Sequence, residues 1–220
     1  MVLALSFPMN SRVGRSFALL LFALLTIAPS ALRAQTFPLF STNAAWRYVK
    51  GTQEASAPDP AAWRQRGFDD RTWNAGNAPF FYGETYLTPG TLLADMQNSY
   101  TTLFLRRTFV ITNAAEIAQL ELTAACDDGY IAWINGVPLV NANGPAGDPL
   151  YTSTAPAAAD EPPPFISHPF VDPGAYLVTG TNVLAMQLFN VSLGSSDLVF
   201  DASLAATLKE LSDPRVWSVT

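Results

Sequence analysis

Two pairs of neighbouring acids, Asp127-Asp128 and Asp69-Asp70, are the residues of this chain whose types and spacing best suit chemistry. Adjacent carboxylates with turn carbonyls beside them offer the hard oxygen ligands that calcium takes at about 2.4 Å. Asp127 and Asp128 are therefore read as calcium ligands. Before that they read as a turn, followed by Gly129, whose Asp side chains accept nearby backbone N–H groups. Asp69-Asp70 carries the same two readings. Hydrolysis of a glycosidic bond needs two carboxyls roughly 5–9 Å apart across the bond, and sequence neighbours in a turn tend to diverge.

Cys126 and His168 are the only residues of their types, so the chain has no internal disulfide and no histidine-rich zinc site. Cys126 ends an apolar run beside two acids, which suits a small core residue rather than a reactive thiol. His168, within Ser-His-Pro, is expected in a loop. The sequence contains no Gly-x-Ser-x-Gly elbow and no phosphate loop, and no nucleophile set forms around His168. No catalysis is expected within these 220 residues.

Aromatic rings carry the other chemistry. The apolar C–H faces of a sugar stack on such rings while polar groups at the rim orient it. Trp133, Tyr130, Phe189 and Tyr82 are the expected ligand-binding residues, with Trp73 behind them. Trp133 alternates with Ala132 and Ile134 and so faces away from their side, toward the surface or a cleft. Trp46, Trp63 and Trp73 fit a sandwich interior equally well.

The elements that position these residues are strands. Residues 119–125 alternate Leu120, Leu122 and Ala124 against Glu121, Thr123 and Ala125, the period of a half-buried strand. The Asp-Asp-Gly turn follows, then residues 130–134, then Asn135-Gly136, the strongest short-range hairpin signal, then residues 137–140. Further strands are predicted near Trp46 and Tyr48 and over residues 100–111, 165–170, 183–190 and 198–204. Ala61-Ala62-Trp63 starts a short helical turn ending at Gly67, residues 84–99 read as a crossover loop, and residues 141–164 as a long functional or mobile loop. Roughly eight strands without a long helix predict an all-β, two-sheet antiparallel sandwich of jelly-roll type.

Hydrophobic residues make up 49% and charged residues 14%, enough for a packed core and too apolar for disorder. Arg12 and Arg15 precede an apolar run over residues 17–27, the pattern of a signal peptide covering residues 1–34 with Ala34 before the cut. Uncleaved, the same segment reads as an anchor. No later stretch is apolar enough to span a membrane. Beyond residue 34 nine basic residues face eighteen acidic ones, which argues against nucleic acid and anionic membrane surfaces as partners. A secreted or cell-surface location is expected.

Trp46-Arg47-Tyr48, Ala62-Trp63, Gly67-Phe68-Asp69-Asp70, Trp73 and Tyr82-Gly83, then Phe104 to Phe109, Asp127-Asp128-Gly129, Asn135-Gly136-Val137, Gly180 to Ala185, and Ser195 through Asp201 occur in that order. Over residues 45–204 this pattern resembles the galactose-binding-domain-like jelly rolls of exported bacterial multidomain proteins. The resemblance implies a carbohydrate-binding-module-like accessory domain over residues 35–210 that is not itself catalytic. Its implied partners are carbohydrate and downstream domains of the same polypeptide, where any catalytic domain would lie. The alternative it leaves open is a structural spacer packing on a neighbouring domain without a sugar ligand. Residues 211–220 resemble a linker or the first strand of a following immunoglobulin-like domain. Two departures, at residues 86–98 and at Lys209-Glu210-Leu211, fall where this superfamily varies its binding loops.

Overall fold

The computed structural model describes residues 34–84 and 89–210. Residues 1–33 of the expected signal peptide and the tail over residues 211–220 lie outside the described residues, as does Tyr86. Twelve strands run in chain order. They are β1 (Thr36–Phe40), β2 (Ala45–Lys50), β3 (Asn74–Asn77), β4 (Phe80–Tyr82), β5 (Thr91–Leu92) and β6 (Thr102–Ile111). Then come β7 (Ile117–Asp127), β8 (Gly129–Ile134), β9 (Val137–Ala142), β10 (Ile166–Phe170), β11 (Gly180–Phe189) and β12 (Leu198–Leu208).

Two six-stranded sheets face each other. The first runs β10-β7-β12-β4-β5, with β1 sharing an edge of β12 with β4; the second runs β3-β2-β6-β11-β8-β9. Every pairing is antiparallel except β4 with β5. This is the expected sandwich. The short strands β1, β3, β4 and β5 are additional to those predicted, β5 within the stretch read as a crossover loop; hydrogen bonding to β12, β2 and β4 outweighs weak local propensity.

The inter-sheet core follows the predicted alternation. Leu103, Leu105, Phe109 and Ile111 of β6, Leu184, Met186 and Leu188 of β11, and Leu120, Leu122 and Ala124 of β7 all turn inward. Tyr130, Ala132 and Ile134 of β8 join them. The Asn135-Gly136 turn has positive φ at both residues, 54° and 87°, as a two-residue hairpin of matching twist requires.

Part of the other face of the second sheet is also covered. Phe104, Ile131, Trp133, Ala185 and Phe189 form a second core with Trp63, Trp73 and Ala155. A short 3-10 turn, Ala62–Arg64, carries Trp63 into this layer at the predicted place. The long connection after β9 completes it. Thr102 donates to the Tyr151 carbonyl at 2.6 Å, Gln187 to the Leu150 carbonyl at 3.0 Å, and the Ala155 amide to the Asn190 carbonyl at 2.9 Å. Burial on both faces over residues 102–106 of β6 and 182–189 of β11 is therefore a consequence of a third layer of loops. His168 sits within β10 opposite Leu122, not in a loop. No helix among the described residues is long and apolar enough to cross a membrane.

Candidate functional site

Strand parity separates the expected site residues. Tyr130 and Trp133 lie three residues apart on β8, so their side chains leave opposite faces of the sheet. Tyr130 joins the inter-sheet core, its ring 6.1 Å from the His168 ring, whereas Trp133 joins the outer layer. Phe189 also faces outward, and Tyr82 faces inward. Exposure is 4% for Trp133, 4% for Tyr130, 0% for Phe189 and 5% for Tyr82. The four rings are not brought together, and Tyr130, Phe189 and Tyr82 present no free face to solvent. Tyr82 is used structurally: its hydroxyl donates to the Ser195 carbonyl and accepts from Asn190 Nδ2, each at 2.8 Å.

Trp133 does border a cavity. A groove of about 540 Å³ is lined by Trp133, Ile131, Pro138, Asn141, Arg64 and Asp148, among others. The edge of Trp63 meets Trp133 with ring centroids 5.6 Å apart, and the Arg64 guanidinium carbon stands 4.1 Å from the Trp133 centroid. Arg64 Nη1 donates to Asp148 Oδ1 at 2.5 Å, while Arg64 Nε is buried and meets no acceptor. Arg64 is thus a 7%-exposed cation in the groove wall. The sequence signal for it was weak: Arg64 follows a predicted Trp, and Asp148 lies in a loop without periodicity.

The two acid pairs separate as well. Asp69 pairs with Arg71 at 2.6 Å on the surface, and hydrogen bonds from Arg71 lower its carboxyl to about 2. Asp70 turns the other way, to Arg106 Nε at 2.8 Å. This pair forms no common oxygen cage.

Asp127 and Asp128 are both buried. Asp128 is spent on the backbone. Its Oδ1 accepts from the Ala159 amide at 2.9 Å and its Oδ2 from the Val191 amide at 2.6 Å. Both oxygens thus hold distant segments, not the neighbouring N–H groups of a turn that the sequence led one to expect. Asp127 meets carboxyls instead. Burial first, then contact with Asp128 and Glu161, pushes its pKa up to about 9. Beyond it Glu84, Glu161 and Asp197 form an acidic cluster whose oxygens lie within 4.8 Å of one another. These three come from separate loops, and no local spacing announces them. Cys126 donates to the Gly129 carbonyl at 3.3 Å, and burial raises its thiol pKa well above the ordinary value, in keeping with a core role.

No family model and no curated protein matches the chain. Among solved structures it is similar to part of the Bacteroides uniformis β-glucuronidase 2 covalently bound to cyclophellitol-6-carboxylate aziridine. Identity is 19%, over 79% of this chain and 18% of that one, with a TM-score of 0.48. An uncultured Clostridium sp. β-glucuronidase is 12% identical over 83% of this chain and 30% of its own, with a TM-score of 0.49. A Bifidobacterium dentium β-glucuronidase complexed with coumarin-3-O-glucuronide is 17% identical over 71% of this chain and 20% of its own, with a TM-score of 0.42. The chain spans less than a third of the length of each.

Proposed function

We propose that the chain is a non-catalytic accessory module of an exported, multidomain protein and that it binds carbohydrate in the groove beside Trp133. The observation that carries this reading is the groove itself, where the Arg64 guanidinium lies over the Trp133 ring and holds Asp148 among mixed polar and apolar lining residues. The groove volume falls within the roughly 300–1,000 Å³ of small-molecule sites. Its lining pairs apolar Ile131 and Pro138 with polar Asn141 and Asp148, the mixture that a sugar's two kinds of surface need. Export rests on the N-terminal segment with Arg12, Arg15 and Ala34. The same reading includes a structural calcium ion that holds loops and takes no part in chemistry.

The test is a glycan array and polysaccharide pull-down with the full chain as exported. Binding to at least one glycan, lost in Arg64→Ala and weakened in Arg64→Lys, is the expected result. No binding to any glycan, with or without calcium, removes the reading.

One observation favours a second reading, a spacer that packs on a neighbouring domain. All four rings expected to stack on sugar are at most 5% exposed. A spacer predicts that the Arg64 variants leave every glycan assay unchanged, whereas attachment of the neighbouring domain raises the melting temperature.

A further inference from the structure

The groove wall carries one cation and one acid, Arg64 and Asp148, joined at 2.5 Å. They do not meet the groove equally. The Arg64 side chain is 9% exposed, whereas that of Asp148 is 62% exposed. The Trp133 ring covers one side of the guanidinium, and Asp148 Oδ1 takes its Nη1–H. Asp148 Oδ2 receives no hydrogen bond from any described residue. A ligand entering the groove therefore meets a carboxylate first, and behind it a cation that is already compensated.

Asp148 is also held in place. Before it, Asn141 folds the chain back: its Nδ2 donates to the Pro145 carbonyl at 3.0 Å and its Oδ1 accepts from the Gly144 amide at 2.7 Å. After it, Pro149 is buried, and its ring biases the Asp148 backbone toward extended conformations. The Leu150 and Tyr151 carbonyls then accept from Gln187 of β11 and Thr102 of β6. Fastened on both sides, the carboxylate is part of the wall and not a loose plug that a ligand anion pushes out.

We propose that the Asp148–Arg64 pair restricts the groove to neutral, hydroxyl-rich glycans and excludes uronic acids and other anionic sugars. The inference deepens the carbohydrate reading above and rests on it. An ionised carboxylate only accepts hydrogen bonds, so the sugar groups it holds must be donors, and the adjacent hydroxyls of a neutral pyranose supply two. An anionic sugar sets its own carboxylate or sulfate against Asp148, and such a repulsive element discriminates as effectively as an attractive contact. To reach Arg64, that anion has to displace a carboxylate already paired with it at 2.5 Å. The charge of the chain acts in the same direction, since eighteen acids face nine bases beyond residue 34. Neutral as a unit, the pair does not draw a cationic sugar as a lone carboxylate would. Ile131 and Pro138 offer apolar surface to the C–H face of any sugar, so the choice among sugars falls to Asp148.

The full chain as exported is tested by affinity electrophoresis and calorimetry against neutral glucans and galactans, polygalacturonate and chitosan. A neutral polysaccharide should bind at least tenfold tighter than polygalacturonate, with an affinity that barely changes between about 50 and 500 mM salt. Asp148→Asn removes the exposed charge and keeps the shape. It should gain at least tenfold in affinity for polygalacturonate, and high salt should abolish the gain. Asp148→Glu keeps the charge and should keep the preference of the parent. Circular dichroism checks that each variant is folded, and the parent's own preference decides if Asp148→Asn is not. Polygalacturonate bound by the parent as tightly as a neutral polysaccharide would overturn this proposal and leave the groove a sugar site. So would a folded Asp148→Asn that gains nothing. Chitosan bound more tightly than every neutral polysaccharide would overturn the neutral class. Binding to none of the polymers removes the carbohydrate reading and this inference together.

Discussion

The Arg64 guanidinium carbon lies 4.1 Å from the centroid of the Trp133 ring, while Arg64 Nη1 holds Asp148 at 2.5 Å. The ring that the alternation of β8 turns away from the main core is covered by a cation instead of water. A desolvated cation–π contact is worth about 2 kcal/mol, and the pair with the exposed Asp148 adds less than about 1 kcal/mol. Arg64→Ala should therefore lower stability by about 2 kcal/mol in urea denaturation and leave a folded chain for binding assays. Trp133→Ala removes a ring packed on Trp63 and should cost about 3–5 kcal/mol. Equal losses for the two variants would contradict this division.

The loop layer over the second sheet hangs on Arg106. Its Nε reaches Asp70 at 2.8 Å, its Nη1 donates to the Trp63 and Gln65 carbonyls, and its guanidinium stands 5.2 Å from the Phe68 centroid. Breaking a buried pair leaves an uncompensated charge and costs about 3–5 kcal/mol. Asp70→Ala is expected near the lower end, about 3 kcal/mol, because the Asp70 side chain keeps some contact with water. Asp69→Ala, its sequence neighbour on the surface, should leave the urea midpoint where it was. A Trp fluorescence change in Asp70→Ala would report the loosened Trp63 and Trp73.

Three buried tyrosines make the fold sensitive to alkali. Burial raises the phenols of Tyr100, beside Asp95, Tyr48 and Tyr82 and under the Lys50 ammonium, and of Tyr130, beside Cys126 and His168, well above the ordinary value. Burial and Asp172 push that of Tyr176 up to about 12. Each phenol holds its proton more tightly folded than unfolded. Its contribution is complete below the ordinary value near 10 and is lost as pH rises from there toward the folded value. Absorbance at 295 nm and circular dichroism, followed together above pH 10, should show these phenols ionising as the sheet unfolds. Full ionisation with an unchanged sheet signal would refute the burial argument.

The Asn135-Gly136 turn does more than reverse the chain. Asn135 Nδ2 donates to the Tyr176 carbonyl and to Asn182 Oδ1, each at 2.7 Å, and its Oδ1 accepts from the Val183 amide at 3.0 Å. Gly136 has φ 87°, and a Cβ there would stand 2.2 Å from Gln65 Nε2. Asn135→Ala should cost about 2–3 kcal/mol, combining lost hydrogen bonds with a strained φ. Gly136→Ala should cost about 1–2 kcal/mol, with Gln65 able to swing aside. Thermal unfolding checks both, and a neutral Asn135→Ala would show that the network adds nothing.

Legibility in the sequence followed the range of each interaction. The period of two in residues 120–124 and 184–188 announced strands and their inward faces, and Asn135-Gly136 announced its hairpin, because side-chain alternation and φ preference act between neighbours. For His168 the sequence pointed two ways, a loop from Ser-His-Pro and a strand over residues 165–170, and pairing with β7 makes it a strand. Phe189 and Tyr82 suited sugar stacking by type, yet nothing in the sequence told an outward ring on a bare sheet from one under a loop layer.

Residue order by itself determined an all-β sandwich, the Asn135-Gly136 hairpin and the turning of Trp133 away from Ala132 and Ile134. Tertiary structure alone decided that Arg64 covers Trp133, that Asp128 is consumed by two distant amides, and that Glu84, Glu161 and Asp197 converge on Asp127. The physical reason is strand register: carboxylates far apart in the chain become neighbours only once β4, β12 and β7 have paired.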